Sequence, residues 1–176
     1  MNVDYEIREG GATIRGNPLK VRGTMLKAGD KAPDFQLVAT DMSTKSLSDY
    51  AGKIKILSVV PSLDTSVCDA QTRRFNQEAV ELDEDIVVLT VSADLPFAQK
   101  RWCAAADVDR VETLSSHKDM QFSDDYGLHV LDWRVNQRAV IVLNANDEVT
   151  YAQYVTEIGE EVNFDAALEA ARATNR

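Results

Sequence analysis

The sequence has few cysteines, few histidines and fewer basic than acidic residues. It contains 2 Cys, 2 His and 19 Lys+Arg against 29 Asp+Glu, for a formal net charge of -10 at pH 7. This acidic surplus repels phosphate backbones and anionic lipid surfaces, so we expect neither a nucleic acid nor a membrane as a partner. The sequence also lacks any apolar run near the roughly 18 residues that a membrane-spanning helix needs.

The scarcity of cysteine also limits the structural uses of Cys68 and Cys103. Segment 1–9 carries acidic residues where a signal peptide needs basic residues and an apolar run, so we expect a cytoplasmic protein. In that reducing compartment a permanent structural disulfide is not expected. Two cysteines and two histidines without close spacing do not form a zinc-binding pattern, and we expect no metal.

The apolar pattern predicts a single α/β domain over residues 1–176. Residues 1–22 combine short apolar pieces with glycine-containing turns, which predicts an N-terminal β-hairpin extension. Segment 54–60 is nearly all apolar and rich in β-branched residues, as in a central strand covered on both faces. Residues 66–82 show apolar positions at helical spacing. These segments together predict a mixed central sheet flanked by helices.

Shorter segments complete this prediction. Asp94 is expected to cap the helix that follows it, and Gly127 to end another. The other predicted strands are 35–38, 86–91, 111–114, 138–143 and 149–155, and the helical segments are 46–50, 97–106, 120–126 and a closing helix that includes 164–171.

The first turn of the helix predicted at 66–82 contains Cys68. Free N–H groups and the positive end of the helix macrodipole favour a thiolate there, and a thiolate is a nucleophile. The simpler alternative is a small buried hydrophobic residue. The residues themselves also allow Thr65 to be only a helix N-cap, Arg138 a strand-edge charge and Pro61 a strand terminator.

Three segments, in the same order, resemble one known family. The octapeptide 61–68, PSLDTSVC, contains the peroxiredoxin pattern Pro-x-x-x-Thr-x-x-Cys and resembles the thiol peroxidase (Tpx) subfamily. Segment 92–99 resembles the stretch before that subfamily's resolving cysteine, here Cys103. Arg138 begins a segment that matches the strand start bearing the family's active-site arginine. The likeness extends from about Gly16 to the closing helix.

The resemblance implies a role for each matching residue. Cys68 would be the peroxidatic nucleophile, and Arg138 would supply positive charge and a fixed fork of donors. The Thr65 hydroxyl would hydrogen-bond the thiolate and the bound peroxide. Pro61 would shape the loop and keep water from the sulfur. Cys103 would resolve the Cys68 sulfenic acid as an intramolecular disulfide.

The resemblance further implies a thioredoxin-like fold, a homodimer, and thioredoxin as the reductant of the disulfide. Hydrogen peroxide and organic hydroperoxides would be the substrates, and no metal, haem or flavin cofactor would be needed. In the reduced protein we expect the Cys68 and Cys103 sulfurs to lie apart, so that both helices must loosen before the sulfurs join.

Two other redox functions remain open at this point. A peroxide sensor would pass its oxidation to a partner protein, and its chemistry at Cys68 would be identical. A disulfide reductase normally has Cys-x-x-Cys, whereas Thr65 occupies the position of the first cysteine. We assign no catalytic role to Arg73 and Arg74, expected on a solvated helix face, or to Trp102 and Trp133, expected to be packing residues.

Overall fold

The structure, a computed structural model, describes residues 4–174 as strands and helices in alternation. The strands are β1 (Ile7–Ile14), β2 (Asn17–Arg22), β3 (Leu37–Ala39), β4 (Thr44–Lys45), β5 (Ile54–Val59), β6 (Ile86–Ser92), β7 (Glu112–Ser115), β8 (His129–Val130), β9 (Val135–Asn136), β10 (Ala139–Leu143) and β11 (Val149–Tyr154). The helices are α1 (Ser66–Ala79), α2 (Pro96–Ala106), α3 (Gln121–Asp125) and α4 (Phe164–Ala173), with a 3-10 turn at Leu47–Tyr50.

A mixed sheet of seven strands, in the order β11-β10-β5-β6-β7-β3-β4, forms the centre of the fold. Strands β5, β6 and β7 are parallel, and β10 is antiparallel to β5. Ile54 and Ile56 of β5 pack with side chains of α1, α2 and α4, whereas Leu57 and Val59 pack in the layer that contains α3. Because both faces are covered, all of β5 is buried, as its apolar sequence predicts. The predicted α/β class is confirmed.

A second, smaller sheet has the order β1-β2-β8-β9. The predicted N-terminal hairpin is present as the antiparallel pair β1 and β2, joined through Arg15 and Gly16, both with positive φ. Residues 1–3 of the predicted extension lie outside the described part. The hairpin also contacts the segment after β11, because Thr13 forms a parallel bridge with Glu157. The extension therefore reaches the side of the main sheet where β5 ends and β10 begins.

Two predicted boundaries differ from the structure. Helix α1 ends at Ala79 rather than Leu82, although Leu82 still packs against the same cluster through a turn that follows the helix. Apolar spacing detects which residues face the core, but not where the backbone hydrogen-bond pattern changes. The short strands β4, β8 and β9 were not predicted. Within residues 4–174, no helix is both long and apolar enough to cross a membrane.

Candidate active site

Cys68 lies at the third residue of α1, just beyond the loop that leaves β5. Its side chain is fully buried, at 0 % exposure. It packs with Val60 and Leu63 from that loop, and we call these three residues the Cys68 cluster. The side chain of Trp102 packs against the cluster from α2. Cys68 is therefore held by the loop on one side and by the second helix on another.

Arg138 provides the polar contact to this sulfur. In the antiparallel register, Ala139 of β10 lies opposite Val59 of β5. Arg138, one residue earlier, is thus brought beside the start of the loop that leads to Cys68. Its Nη2 donates a hydrogen bond to the Sγ of Cys68 at 3.1 Å, and the arginine is only 1 % exposed.

The orientation of Arg138 is fixed by two further hydrogen bonds. Its Nε donates to the carbonyl of Ile158 at 3.0 Å, and its Nη1 donates to Oε1 of Gln71 at 2.9 Å. The Gln71 amide in turn donates from Nε2 to the hydroxyl of Ser58 on β5 at 2.9 Å. This arrangement uses the rigid fork of the guanidinium, which a lysine could not reproduce.

The buried Arg138 guanidinium donates its hydrogen bonds to groups other than carboxylates. Within residues 4–174, the hydrogen-bond acceptors of the Arg138 side chain are a carbonyl, a side-chain amide oxygen and the Cys68 sulfur, with no carboxylate among them. A guanidinium remains protonated in proteins. A buried positive charge is favoured by a negative partner, and the Cys68 sulfur is the one of these three acceptors that can become an anion.

Gln71 was missed in the sequence analysis. It lies one helical turn after Cys68 and is fully buried, on the face that packs against the sheet. A glutamine on the inward face of an amphipathic helix needs hydrogen-bond partners, so its position was a usable signal. What the sequence did not reveal was the partner, because Arg138 is 67 positions away.

Thr65 occupies the N-cap position of α1, but its side chain does not cap the helix. Its hydroxyl donates to the carbonyl of Ser62 at 3.1 Å. Among the described contacts, the predicted hydrogen bond from Thr65 to Cys68 is not formed. Pro61 is buried and lies two residues beyond Val59, the last residue of β5. Both Pro61 and Thr65 line the cavity described next.

A mostly apolar cavity of about 250 Å³ opens beside Arg138 and the start of α1. The small sheet forms part of its wall, so the N-terminal hairpin contributes to the site. Trp133, expected to be a packing residue, is instead 49 % exposed at this wall. The lining side chains and backbone come from Ile14, Pro61, Ser62, Thr65, Ser66, Val67, Trp133, Val135, Arg138, Ile158 and Gly159.

Cys103 lies on α2 in a different environment. Its Sγ is 3.7 Å from the hydroxyl oxygen of Thr113 on β7. Burial raises the pKa of the Cys103 thiol, and the Thr113 hydroxyl lowers it by a smaller amount. Both cysteines are free, so the sulfurs are not in bonding contact in this structure.

Asp94 does not cap α2, contrary to the prediction. The N-cap position belongs to Leu95, without a side-chain hydrogen bond. The Asp94 carboxylate instead accepts hydrogen bonds from the Ser62 hydroxyl at 2.7 Å, the Leu63 backbone N–H at 2.8 Å and the Ser92 hydroxyl at 2.8 Å. It therefore connects the loop before Cys68 to the segment that begins α2.

A buried cysteine in the first turn of a helix, hydrogen-bonded to a buried arginine beside a mixed sheet, is the arrangement of a cysteine-based redox protein. The family model described as Redoxin matches residues 27–168. The chain belongs to the Redoxin family and, within it, to the thiol peroxidase subfamily of peroxiredoxins.

Curated relatives agree over almost their whole lengths. The chain is 53 % identical over 161 residues to a protein of Halalkalibacterium halodurans named thiol peroxidase, covering 92 % of this chain and 96 % of that protein. It is 50 % identical over 161 residues to the thiol peroxidase of Bacillus subtilis, with the same coverages of 92 % and 96 %. The subfamily resemblance inferred from three short segments is thereby confirmed.

Solved structures show the same fold. The crystal structure of a peroxiredoxin-like protein from Aquifex aeolicus has a TM-score of 0.86 and 32 % identity, covering 97 % of this chain and 98 % of that chain. Thiol peroxidase from Chromobacterium violaceum has a TM-score of 0.80 at 20 % identity, covering 92 % of this chain and 94 % of that chain. The second similarity concerns the fold only.

Proposed function

We propose that this protein is a thiol-dependent peroxidase in which Cys68 reduces hydrogen peroxide and organic hydroperoxides. The observation that carries the proposal is the 3.1 Å hydrogen bond from Arg138 Nη2 to Cys68 Sγ, formed where both side chains are buried. A fixed cation favours the thiolate and also stabilises negative charge that develops on a peroxide oxygen.

In the first step, the Cys68 thiolate attacks the terminal oxygen of the hydroperoxide. An S–O bond forms, the O–O bond breaks, and the electron pair of that bond leaves on the second oxygen. This oxygen takes up a proton and departs as an alcohol, or as water when the substrate is hydrogen peroxide. The sulfur is oxidised to a sulfenic acid while the peroxide is reduced.

Arg138 and Thr65 support this step in different ways. Arg138 is already aimed at the sulfur, and its planar fork orients donors toward the reacting atoms. Thr65 reaches the substrate by rotation of its hydroxyl away from the Ser62 carbonyl, to which it is bonded in this structure. Pro61, buried at the cavity wall, excludes water from the reacting sulfur.

The cavity supports a substrate that carries an organic group. Ile14, Trp133 and Val135 line it with apolar surface, which holds the hydrocarbon part of an alkyl hydroperoxide beside Arg138. Hydrogen peroxide has no hydrocarbon part and makes no apolar contact that would strengthen its binding to these residues. Replacing Trp133 with Ala should therefore raise the KM for cumene hydroperoxide and leave that for hydrogen peroxide unchanged.

In the second step, Cys103 attacks the sulfur of the Cys68 sulfenic acid, forming the disulfide and releasing water. A dithiol protein then reduces the disulfide by exchange through a mixed intermediate. Following the family resemblance, we propose thioredoxin as that reductant, the cytoplasm as the compartment and a homodimer as the assembly.

The test is peroxide consumption coupled to NADPH oxidation by thioredoxin reductase and thioredoxin. We expect Cys68→Ser to abolish turnover, and Cys103→Ser to retain one oxidation of Cys68 per chain but not sustained turnover. A parallel assay with dithiothreitol separates the peroxidase reaction from the choice of thioredoxin. Full turnover by Cys68→Ser would contradict the proposal.

The same assay decides between an enzyme and a peroxide sensor. An enzyme supplied with reductant consumes many peroxide molecules per chain, whereas a sensor consumes about one. Thr65, in place of a second cysteine in Cys-x-x-Cys, continues to argue against a disulfide reductase.

A further inference from the structure

The residues next to the two cysteines join helices α1 and α2. Trp102, which precedes Cys103, donates its indole Nε1–H to Oδ1 of Asp69, which follows Cys68, at 2.9 Å. Arg73 donates from Nε to Oδ2 of the same carboxylate at 2.8 Å. The Arg73 guanidinium carbon also lies 5.7 Å from the centroid of the Trp102 ring, within the range of a cation–π contact.

Arg73 reaches α2 a second time, through the carbonyl of Ala106, to which its Nη1 donates at 3.3 Å. Arg73 is exposed, as predicted for a solvated face. Its guanidinium nevertheless contacts two residues of α2, Trp102 and Ala106, which precede and follow Cys103 in the chain. The contacts between the helices therefore lie on either side of the cysteine that must leave its position.

The same contacts turn Cys103 away from Cys68. The Trp102 ring packs against the Cys68 cluster, whereas the Cys103 sulfur contacts Thr113 on β7. Successive residues of an α-helix project about 100° apart, so Cys103 faces the sheet while Trp102 faces α1. A disulfide needs the two Cα atoms within roughly 7 Å and the side chains directed toward each other. Helix α2 must unwind or turn before the sulfurs meet, and the Trp102 contacts must then break.

We infer that Asp69, Arg73 and Trp102 form a latch that holds α2 folded and thereby sets the rate at which the Cys68 sulfenic acid becomes the Cys68–Cys103 disulfide. These are positioning residues, since they act on the sulfurs through α2. The inference rests on the proposed function, because it concerns the second step of that cycle. It adds that opening of this latch, rather than the reactivity of Cys103, limits resolution.

The latch has a chemical consequence for Cys68. While α2 remains folded, the sulfenic acid persists, and a second peroxide can oxidise it to the sulfinic acid. In that reaction another oxygen is transferred to sulfur and a second peroxide is reduced to alcohol or water. A weaker latch should therefore protect Cys68 from overoxidation, because the disulfide forms before the second peroxide arrives.

The chain offers a matched control in its consecutive arginines. Arg73 pairs with Asp69 and lies over an aromatic ring of α2, whereas Arg74 pairs with Glu78 and lies over Phe164 of α4. Each arginine also makes one further contact to the neighbouring helix, Arg73 to the Ala106 carbonyl of α2 and Arg74 to the Asp165 carboxylate of α4. Arg73→Gln and Arg74→Gln therefore remove the same charge, an ion pair within α1 and the contacts to one neighbouring helix. They differ in which helix is released.

The experiment follows a single turnover of the full-length reduced protein with one equivalent of hydrogen peroxide. Acid-quenched samples are alkylated and analysed by mass spectrometry for sulfenic acid, disulfide and sulfinic acid. We expect Arg73→Gln to accelerate disulfide formation about threefold and Trp102→Phe, which loses the bond to a carboxylate, about tenfold. Arg74→Gln should stay within about twofold of the wild type. Sulfenic acid formation should be unchanged in Arg73→Gln, and its sulfinic acid yield at excess peroxide should fall.

Hydrogen exchange of α2 amides in the reduced protein provides a readout that needs no peroxide chemistry. Exchange in residues 96–106 should be faster in Arg73→Gln than in Arg74→Gln, because opening of the helix costs less. Equal exchange and equal disulfide rates in the two variants would overturn the latch. A wild type that forms no disulfide would instead contradict the proposed function, even if Arg73→Gln opened α2 as expected.

Discussion

Cys68 and Cys103 are the same chemical group in opposite electrostatic surroundings. Cys68 is fully buried beside the Arg138 guanidinium at 3.1 Å. Cys103 is partly buried beside the neutral Thr113 hydroxyl at 3.7 Å, and burial raises the pKa of its thiol. A buried cation therefore donates a hydrogen bond to the first sulfur, whereas the second has only a neutral hydroxyl beside it.

This difference assigns an order to the two thiols. The thiolate is the reactive form toward peroxide, so we expect Cys68, beside the guanidinium, to react first. Burial raises the pKa of Cys103, so the folded protein favours the neutral thiol at this position. If α2 opens as proposed, we expect the burial of Cys103 to be relieved and its pKa to fall toward the ordinary value. Opening would then both expose Cys103 and increase its reactivity.

Loss of Arg138 should produce the largest change in the reactivity of Cys68 relative to Cys103. We expect Arg138→Gln to slow oxidation of Cys68 by hydrogen peroxide about 100-fold or more, because a buried charged donor to the reacting atoms is removed. Arg138→Lys should recover only part of the rate, since the charge returns without the fork. Stopped-flow oxidation of the reduced variants measures this, with circular dichroism as the check of folding. A rate within threefold of the wild type in Arg138→Gln would remove the electrostatic distinction between the cysteines.

Substitution of Gln71 should have the next largest effect on the rate of Cys68 oxidation, because its neutral amide orients Arg138 and adds no negative charge. Gln71→Glu places a carboxylate on Arg138, and this charge both neutralises the guanidinium and repels the Cys68 thiolate. We expect about a tenfold loss in the rate of Cys68 oxidation. Gln77→Glu, on the exposed side of α1, adds the same charge and should leave the rate nearly unchanged. Equal rates in both variants would contradict the role given to Gln71.

The smallest expected effect concerns the titration of Cys103. In the Cys68→Ser variant, Cys103 is the remaining thiol, and its alkylation rate by iodoacetamide follows its thiolate fraction. Because burial raises the pKa of Cys103, the rate should rise at higher pH in the folded protein than in the same protein in urea. Thr113→Val should move the folded midpoint slightly higher, because the Thr113 hydroxyl lowers this pKa.

The raised pKa of Cys103 also decides how the stability of the folded protein depends on pH. The fold favours the neutral thiol, so this stabilisation is fully present below the pKa of the unfolded thiol and is lost as pH rises through the folded value. Urea titrations of Cys68→Ser and of Cys68→Ser with Cys103→Ala, repeated across this range, should differ increasingly as pH rises. A folded alkylation midpoint at or below that in urea would show that the fold does not raise the pKa of Cys103.

Elements with strong periodicity were well predicted from the sequence. The unbroken apolar run of β5 and the hairpin of β10 and β11 are present as expected, because burial on both faces and a turn-rich link leave clear patterns. The strands β8 and β9, of two residues each, were missed since they are too short to show alternation. The prediction that Asp94 caps α2 is wrong. Its carboxylate instead accepts hydrogen bonds from Ser62 and Leu63, about thirty positions earlier in the chain, which local spacing does not reveal.

By itself, the sequence determined the chemical parts of the site: a cysteine in the first turn of a helix, a second cysteine on the next helix, and a distant arginine at a strand start. The two cysteine positions follow from the predicted helices, whereas Arg138 entered the site through the resemblance of its segment to the family. Only the tertiary structure decided that Arg138 reaches Cys68 across 70 positions, that Gln71 holds it, and that Trp102 lies against the Cys68 cluster while Cys103 faces Thr113. The physical reason is that strand register and helix packing set these contacts, and neither is encoded in the residues immediately around them.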